Sequence, residues 1–187
     1  MRSSTEVEPE EPRRLASFAV LLALGVVLWV LEGFFPPLLP LPGVKLGLTN
    51  IITVFTMLYL GLRAGIVLAV MRSLLGSFIG GTFLSVGFFL SFAGALASAL
   101  LEAFCLRYCR RAFSLVGICI VGATAHNLAQ LALVYALFVQ SFGILYYTPV
   151  LLLAALASGS LTGALLVYLD RRLALTTGGG PVKMYSD

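Results

Sequence analysis

The sequence predicts an all-α, polytopic membrane protein with six transmembrane helices and both termini in the cytoplasm. Of its 187 residues, 60% are hydrophobic and only 11% are charged, and the mean hydropathy is +1.04. A soluble domain of this size cannot bury so much apolar surface. Because a spanning helix needs about 20 apolar residues, the spans consume nearly the whole chain and leave little for a soluble catalytic domain.

Apolar runs and the breaks between them define the individual spans. Pro36 and Pro37 end the first run, Gly61 marks a tight turn after a short second run, and Gly80-Gly81 interrupts the chain after the third. The predicted spans cover residues 15–35, 46–60, 64–79, 83–106, 113–139 and 149–169, within a membrane domain of residues 15–173. Residues 1–14 and 174–187 are predicted to be flexible cytoplasmic tails.

The distribution of basic residues supports this segmentation. With the N-terminus inside, only Lys45 falls outside the membrane and only Arg72 falls within a span. The remaining ten of the twelve Lys and Arg residues lie on the cytoplasmic side: Arg2, Arg13, Arg14, Arg63, Arg107, Arg110, Arg111, Arg171, Arg172 and Lys183. Such an asymmetry is typical of six spans under the positive-inside rule.

Arg72, near the middle of the third span, is a candidate ligand-binding residue. A lipid-facing Arg at this depth costs several kcal/mol, so Arg72 is expected to face the bundle interior or a water-filled cavity. The alternative to anion binding is a structural ion pair. Glu32 and Glu102 are the acidic residues in or near the spans, but the sequence places them at other depths than Arg72.

The fifth span carries the polar residues His126, Asn127 and Gln130. His126 and Gln130 are four residues apart and share a helix face, to which Asn127 is adjacent. These groups need partners within a membrane, so they either connect helices or form the wall of a site. As a cluster they favour a site.

The outer end of the second span is a second candidate region. Lys45 and Asn50 flank a proline-rich outer loop, and a helix start offers free amides there, which suits the capture of an anionic or polar solute. Trp29 and Glu32 at the end of the first span face the same region. Alternatively, Lys45 extends to the membrane surface and Trp29 is an interfacial anchor.

Several activities lack their sequence signatures. Cys105, Cys109 and Cys119 show no metal-ligand spacing and His126 is the only histidine, so no metal site is predicted. There is no phosphate-binding loop that ends in Gly-Lys-Ser/Thr, and no nucleic-acid partner is indicated. The two aspartates, Asp170 and Asp187, do not form the Asp-rich clusters that hold Mg²⁺ and diphosphate in a prenyl-chain synthase.

Four stretches carry a resemblance to a known family: Lys45–Ile51 (KLGLTNI), Met71–Gly76 (MRSLLG), Ser91–Ala95 (SFAGA) and Gly122–Gln130 (GATAHNLAQ). The chain resembles the heptaprenyl diphosphate synthase component I family, also called the Gx transporter family. That family is similar to the substrate-binding S components of energy-coupling factor (ECF) transporters.

The resemblance implies six helices around a solute pocket that opens outward, in a prokaryotic cytoplasmic membrane. It also implies partners, namely membrane lipid, a coupling membrane subunit and two ATPase subunits, so that ATP is used by the partners and this chain holds no cofactor. S components dock through an Ala-x-x-x-Ala patch on the first helix, which Ala19 and Ala23 match here.

The function predicted from these observations is capture of a small anionic or polar solute from outside. The predicted pocket residues are Lys45, Asn50, Arg72, His126, Asn127 and Gln130. The family label suggests a different role, a non-catalytic membrane subunit in polyprenyl diphosphate synthesis. A third reading is a carrier that works without an ATPase.

Overall fold

The computed structural model describes residues 10–34 and 47–177, and every regular element in this part of the chain is helical. The all-α membrane fold predicted from the sequence is therefore confirmed. A single π-helical turn (Tyr135–Val139) and a 3₁₀ helix (Phe142–Tyr147) separate the last two of six α-helices. These are α1 (Glu10–Phe34), α2 (Leu48–Leu60), α3 (Leu62–Ile79), α4 (Val86–Tyr108), α5 (Leu115–Val134) and α6 (Thr148–Thr177).

Two helices extend into segments that the sequence assigned to flexible tails. Helix α1 begins at Glu10 rather than at Leu15. Glu11 in its first turn complements the positive end of the helix dipole, and Pro12 is tolerated there because first-turn amides need no intrahelical acceptor. Helix α6 continues to Thr177, since no helix breaker precedes Gly178. Helical structure therefore extends past both predicted tail boundaries, at residues 14 and 174, while the flexibility of the tails stays a prediction.

Side-chain caps set the starts of α4 and α5 a few residues later than predicted. The Ser85 hydroxyl accepts a hydrogen bond from the Phe88 amide, and α4 begins at Val86. Ser114 in the same way accepts from the Gly117 amide at the start of α5. Serine favours the cap position because its oxygen satisfies an amide that has no intrahelical acceptor.

Five of the six α-helices belong to segments that are long and apolar enough to cross a membrane. Helix α2 is the exception, because its 13 residues span only about 20 Å and the hydrocarbon core is about 30 Å thick. It packs against α1, α3, α4 and α6 and so lies at the centre of the bundle. The six-span topology and the cytoplasmic termini stay predictions.

Glycines bring the helices close together. A Cβ atom on Gly159 of α6 would lie 2.5 Å from the Cα atom of Ile120 in α5, and a Cβ atom on Gly76 of α3 would lie 2.7 Å from the Trp29 ring of α1. Real Cβ atoms do not approach other atoms so closely, so these positions admit no side chain. The resulting backbone contacts place one polar segment of each helix around a common interior space.

Candidate solute-binding cavity

All six helices contribute residues to one polar cavity, which lies toward the end of the bundle where α1 ends and α2 begins. Its volume is about 50 Å³. A cavity needs at least about 10–15 Å³ to hold one water molecule, so this cavity has room for water. The lining residues are Trp29, Glu32, Gly47, Thr49, Asn50, Arg72, Ser91, Ala95, Ser98, Ala123, His126, Asn127, Ser158 and Thr162.

Arg72 enters this cavity from α3 and is almost completely buried, with 4% of its surface exposed. The stem of the side chain crosses α1 at Gly25, where an added Cβ atom would lie 3.2 Å from Arg72 Cδ. The Nε and Nη1 atoms of Arg72 are buried and have no hydrogen-bond partner among the described residues. A buried donor without a partner costs about 1–3 kcal/mol, more when it is charged, so these atoms favour an additional water or ligand.

Two carboxylates interact electrostatically with the Arg72 guanidinium, although the sequence placed them at other depths. Glu32 reaches it from α1 and Glu102 from α4. Opposite charges at this range stabilise one another within a low-dielectric interior. Arg72 therefore interacts with two acidic residues of the bundle, and a structural contribution accompanies any role in binding.

Glu102 and Asn50 form a polar pair behind the cavity wall. The Asn50 amide donates to Glu102 Oε1 at 2.5 Å. Glu102 is fully buried, and its carboxylate lies over Gly122 of α5, where an added Cβ atom would overlap Oε1. Its second oxygen, Oε2, has no partner within the part of the chain that the structure describes. Asn50 thus contacts the cavity on one side and a buried acid on the other.

The Glu32 carboxylate binds at the start of α2, where the sequence predicted free amides that could bind a solute. Its Oε1 accepts from the Leu48 amide at 2.5 Å, and its Oε2 accepts from the Thr49 hydroxyl at 3.4 Å. A carboxylate at this position satisfies a free amide and complements the helix dipole. The Leu48 amide is therefore not free to bind a solute, because Glu32 of the same chain already supplies the anion.

The three polar residues of α5 have different surroundings. His126 lines the cavity, and its ring lies on Gly94 of α4, where an added Cβ atom would be 2.8 Å away. Gln130 does not line the cavity, but its Nε2 lies 3.0 Å from His126 Nε2. Asn127 lines the cavity and also donates to the Leu151 carbonyl oxygen of α6 at 2.9 Å. Asn127 therefore connects two helices as well.

The structure brings four of the six predicted pocket residues to one cavity, namely Asn50, Arg72, His126 and Asn127. Gln130 contacts it through His126 only, and Lys45 lies outside the described residues. The wall also contains small hydroxyl residues for which the sequence predicted no pocket role, such as Ser158 and Thr162. Serine and threonine are common in membrane helices and bond to their own backbone, so their sequence positions gave no signal.

The fold is similar to a solved structure described as "Structure and mechanism of the S component of a bacterial ECF transporter", with a TM-score of 0.68 and 22% sequence identity. The similarity covers 90% of this chain and 99% of that one. No curated protein sequence matches the chain.

The family profile for heptaprenyl diphosphate synthase component I matches residues 21–169. The chain belongs to this family, as the resemblance of its sequence motifs indicated. It is thus a multi-pass membrane protein with the fold of a transporter S component. The name of its family, in contrast, comes from isoprenoid synthesis.

Proposed function

We propose that this chain is the solute-binding S component of an ECF-type uptake transporter in a prokaryotic cytoplasmic membrane. The observation that carries this proposal is Arg72, whose buried Nε and Nη1 atoms have no partner among the described residues beside a polar cavity. An intramembrane cation is retained at such a cost mainly where it serves a function.

The cavity wall indicates a small polar solute with hydrogen-bond acceptors. Arg72 donates only, while Asn50, His126 and Asn127 offer further polar groups around it. At about 50 Å³ the cavity has room for water, so a larger solute requires the surrounding helices to separate. We therefore expect the solute-bound form to be wider at this end of the bundle.

One exposed face of α1 is suited to contact with a partner protein in the membrane. Other pairs of small residues are also spaced four apart, and a glycine of each pair is in close contact with another helix: Gly61 and Gly65, Gly76 and Gly80, Gly94 and Ser98, Gly159 and Gly163. The pair Ala19 and Ala23 is exposed instead. Small residues permit close helix approach, so this patch suits a coupling membrane subunit, with ATP hydrolysis supplied by two further ATPase subunits.

Native mass spectrometry of the detergent-purified protein tests solute binding. We expect wild-type protein from cells grown in rich medium to retain a small molecule. The Arg72→Gln variant is expected to lose it, whereas Arg172→Gln, which removes an exposed charge on α6, is expected to retain it. Wild-type protein without a retained molecule, or equal retention by a folded Arg72→Gln variant, would contradict the proposal.

The family name favours a second candidate, a membrane subunit that supports polyprenyl diphosphate synthesis without catalysing it. With two aspartates in the whole sequence, this chain has no Asp-rich cluster of its own for Mg²⁺ and diphosphate. The two functions are separated by assaying a soluble prenyl synthase with and without this chain. Prenyl elongation that depends on the chain would favour the second function.

A further inference from the structure

Five arginines surround a second cavity at the other end of the bundle, where α1 begins, α2 turns into α3 and α4 ends. Its volume is about 1010 Å³, within the range of ligand-sized pockets. The arginines come from three separate parts of the chain: Arg14, Arg63, Arg107, Arg110 and Arg111. No acidic residue is among the described residues that line this cavity.

An anion at this cavity can reach the exposed arginines. Arg110 is half-buried and the other four are exposed. One Arg14 nitrogen, Nη2, donates to the Leu60 carbonyl oxygen at 3.1 Å, which holds this guanidinium at the end of α2. Planar guanidinium groups match phosphate oxygens in geometry and charge, and an anion also relieves the repulsion among clustered cations.

The base of this cavity is apolar. Met57, Leu58 and Leu106 belong to the buried core and also line the cavity. A neighbouring groove of about 570 Å³ shares Arg14 and Leu60 with it and is lined by the apolar side chains of Leu15, Phe18 and Ala64.

Glu11 also lines this groove, and its negative charge would repel a phosphate there. A phosphate therefore fits the arginine cavity, and an apolar chain fits the groove. The two spaces together match a ligand with an anionic head and a hydrocarbon tail.

We propose that the arginine cavity and its adjoining groove bind an anionic phospholipid, with the phosphate among the arginines and an acyl chain along α1. The positive-inside rule places this end of the bundle at the cytoplasmic surface. Basic pockets between helices at that surface are suited to anionic headgroups, and each arginine near the surface contributes attraction. This lipid site is independent of the solute cavity and of the proposed transport function.

The proposal is tested with the full-length protein in neutral detergent, by measuring the affinity for phosphatidylglycerol and for phosphatidylcholine with native mass spectrometry. Phosphatidylglycerol is expected to bind wild-type protein more tightly. The double variant Arg107→Gln with Arg111→Gln is expected to bind it at least about tenfold more weakly. The matched control, Arg171→Gln with Arg172→Gln, removes two exposed charges from the same end outside the cavity and is expected to bind like wild type.

A groove variant distinguishes a lipid from a free phosphate. Ala64→Trp keeps every charge but fills the groove, so we expect weaker binding of long-chain phosphatidylglycerol and unchanged binding of a dihexanoyl analogue. If the arginine double variant does not fold, the single variant Arg111→Gln at an exposed position replaces it.

Four results would overturn the proposal. The first is an equal loss of affinity in the control, which would indicate general surface charge. The second is equal binding of phosphatidylcholine, and the third is displacement of the lipid by millimolar inorganic phosphate. The fourth is an arginine variant that keeps its lipid affinity but loses a coupling subunit, because the cavity would then be a protein interface.

Discussion

The groups around Arg72 are consistent with a structural contribution and with the binding role that we propose for it. Glu32 and Glu102 interact favourably with its charge, while Gly25 makes room for its stem. Because Nε and Nη1 have no partner among the described residues, the two acidic residues do not satisfy the hydrogen bonding of the guanidinium. The residue is thus positioned by the protein and retains donors for a further molecule.

The position of the His126 ring depends on the missing side chain of Gly94, and this can be tested by adding a single carbon atom. In Gly94→Ala, the added Cβ atom would lie 2.8 Å from the His126 ring and displace it from the cavity. Overpacking of this kind costs about 1–3 kcal/mol. We expect Gly94→Ala to lower the thermal unfolding midpoint in detergent by about 2–12 °C and to weaken solute retention.

The matched control for this substitution lies on the same helix. A Cβ atom on Gly87 would come no closer than 3.7 Å to the Ser85 hydroxyl, an ordinary contact. Gly87→Ala should therefore leave both unfolding and solute retention unchanged or slightly improved, because alanine favours helix. Equal effects of the two substitutions would show that His126 is not positioned by Gly94.

At the scale of elements, α2 is the short helix around which the others are arranged. It is too short to cross the membrane alone, yet its polar start lies at the solute cavity and its apolar end belongs to the core. A carboxylate from a different helix caps this start. The position of α2 along the bundle is thus tied to α1 by Glu32.

The cap on α2 predicts a local change in amide exchange. Glu32→Ala removes the acceptor of the Leu48 amide and leaves the first turn of α2 without its carboxylate. Loss of a helix cap costs about 1 kcal/mol, which corresponds to about fivefold faster hydrogen exchange at residues 48–50. Deuterium uptake followed by mass spectrometry measures this difference.

Glu11→Ala is the control, since Glu11 is exposed on α1 at the other end of the bundle. Its exchange pattern in α2 should equal that of wild type. Unchanged exchange in Glu32→Ala would mean that the carboxylate does not stabilise the start of α2.

At the scale of the whole molecule, the exposed face of α1 that carries Ala19 and Ala23 allows a test of the proposed assembly with a coupling subunit. Leucine at Ala19 and Ala23 would prevent close approach of a partner helix without entering the bundle, because both positions are exposed. We expect Ala19→Leu with Ala23→Leu to reduce co-purification with the coupling subunit at least about tenfold, while solute retention is preserved.

A second pair of exposed alanines gives the control. Ala157→Leu with Ala164→Leu adds the same bulk to one face of α6, so complex formation should not change. A complex that tolerates leucine at Ala19 and Ala23 would place the docking surface elsewhere.

The topology is also testable on the intact chain. The charge asymmetry predicts that both termini are cytoplasmic, so a fluorescent protein fused to either end should fold and fluoresce, and alkaline phosphatase fused there should be inactive. Opposite results at the two ends would mean that α2 does not complete a crossing.

Composition and charge were sufficient to predict the class of this protein. An apolar chain with basic residues clustered between its spans has few alternatives to a helical membrane bundle, and a buried Arg72 indicates an interior site wherever the helices lie. Several helix ends differ by a few residues from the predicted ones, because sequence propensity defines helix boundaries only loosely. Serine caps set the starts of α4 and α5, and α6 continues because no helix breaker ends it earlier.

Tertiary structure alone decided which polar groups meet. Glu32 and Glu102 lie far from Arg72 in sequence, and the sequence placed them at other depths in the membrane. Helix packing and long side chains nevertheless bring both carboxyl groups close enough to interact electrostatically with the guanidinium. Periodicity describes the face of one helix, but it does not define the rotation or height of the next. Those depend on close contacts such as Gly94 with His126 and Gly122 with Glu102, where the absence of a side chain admits the neighbour.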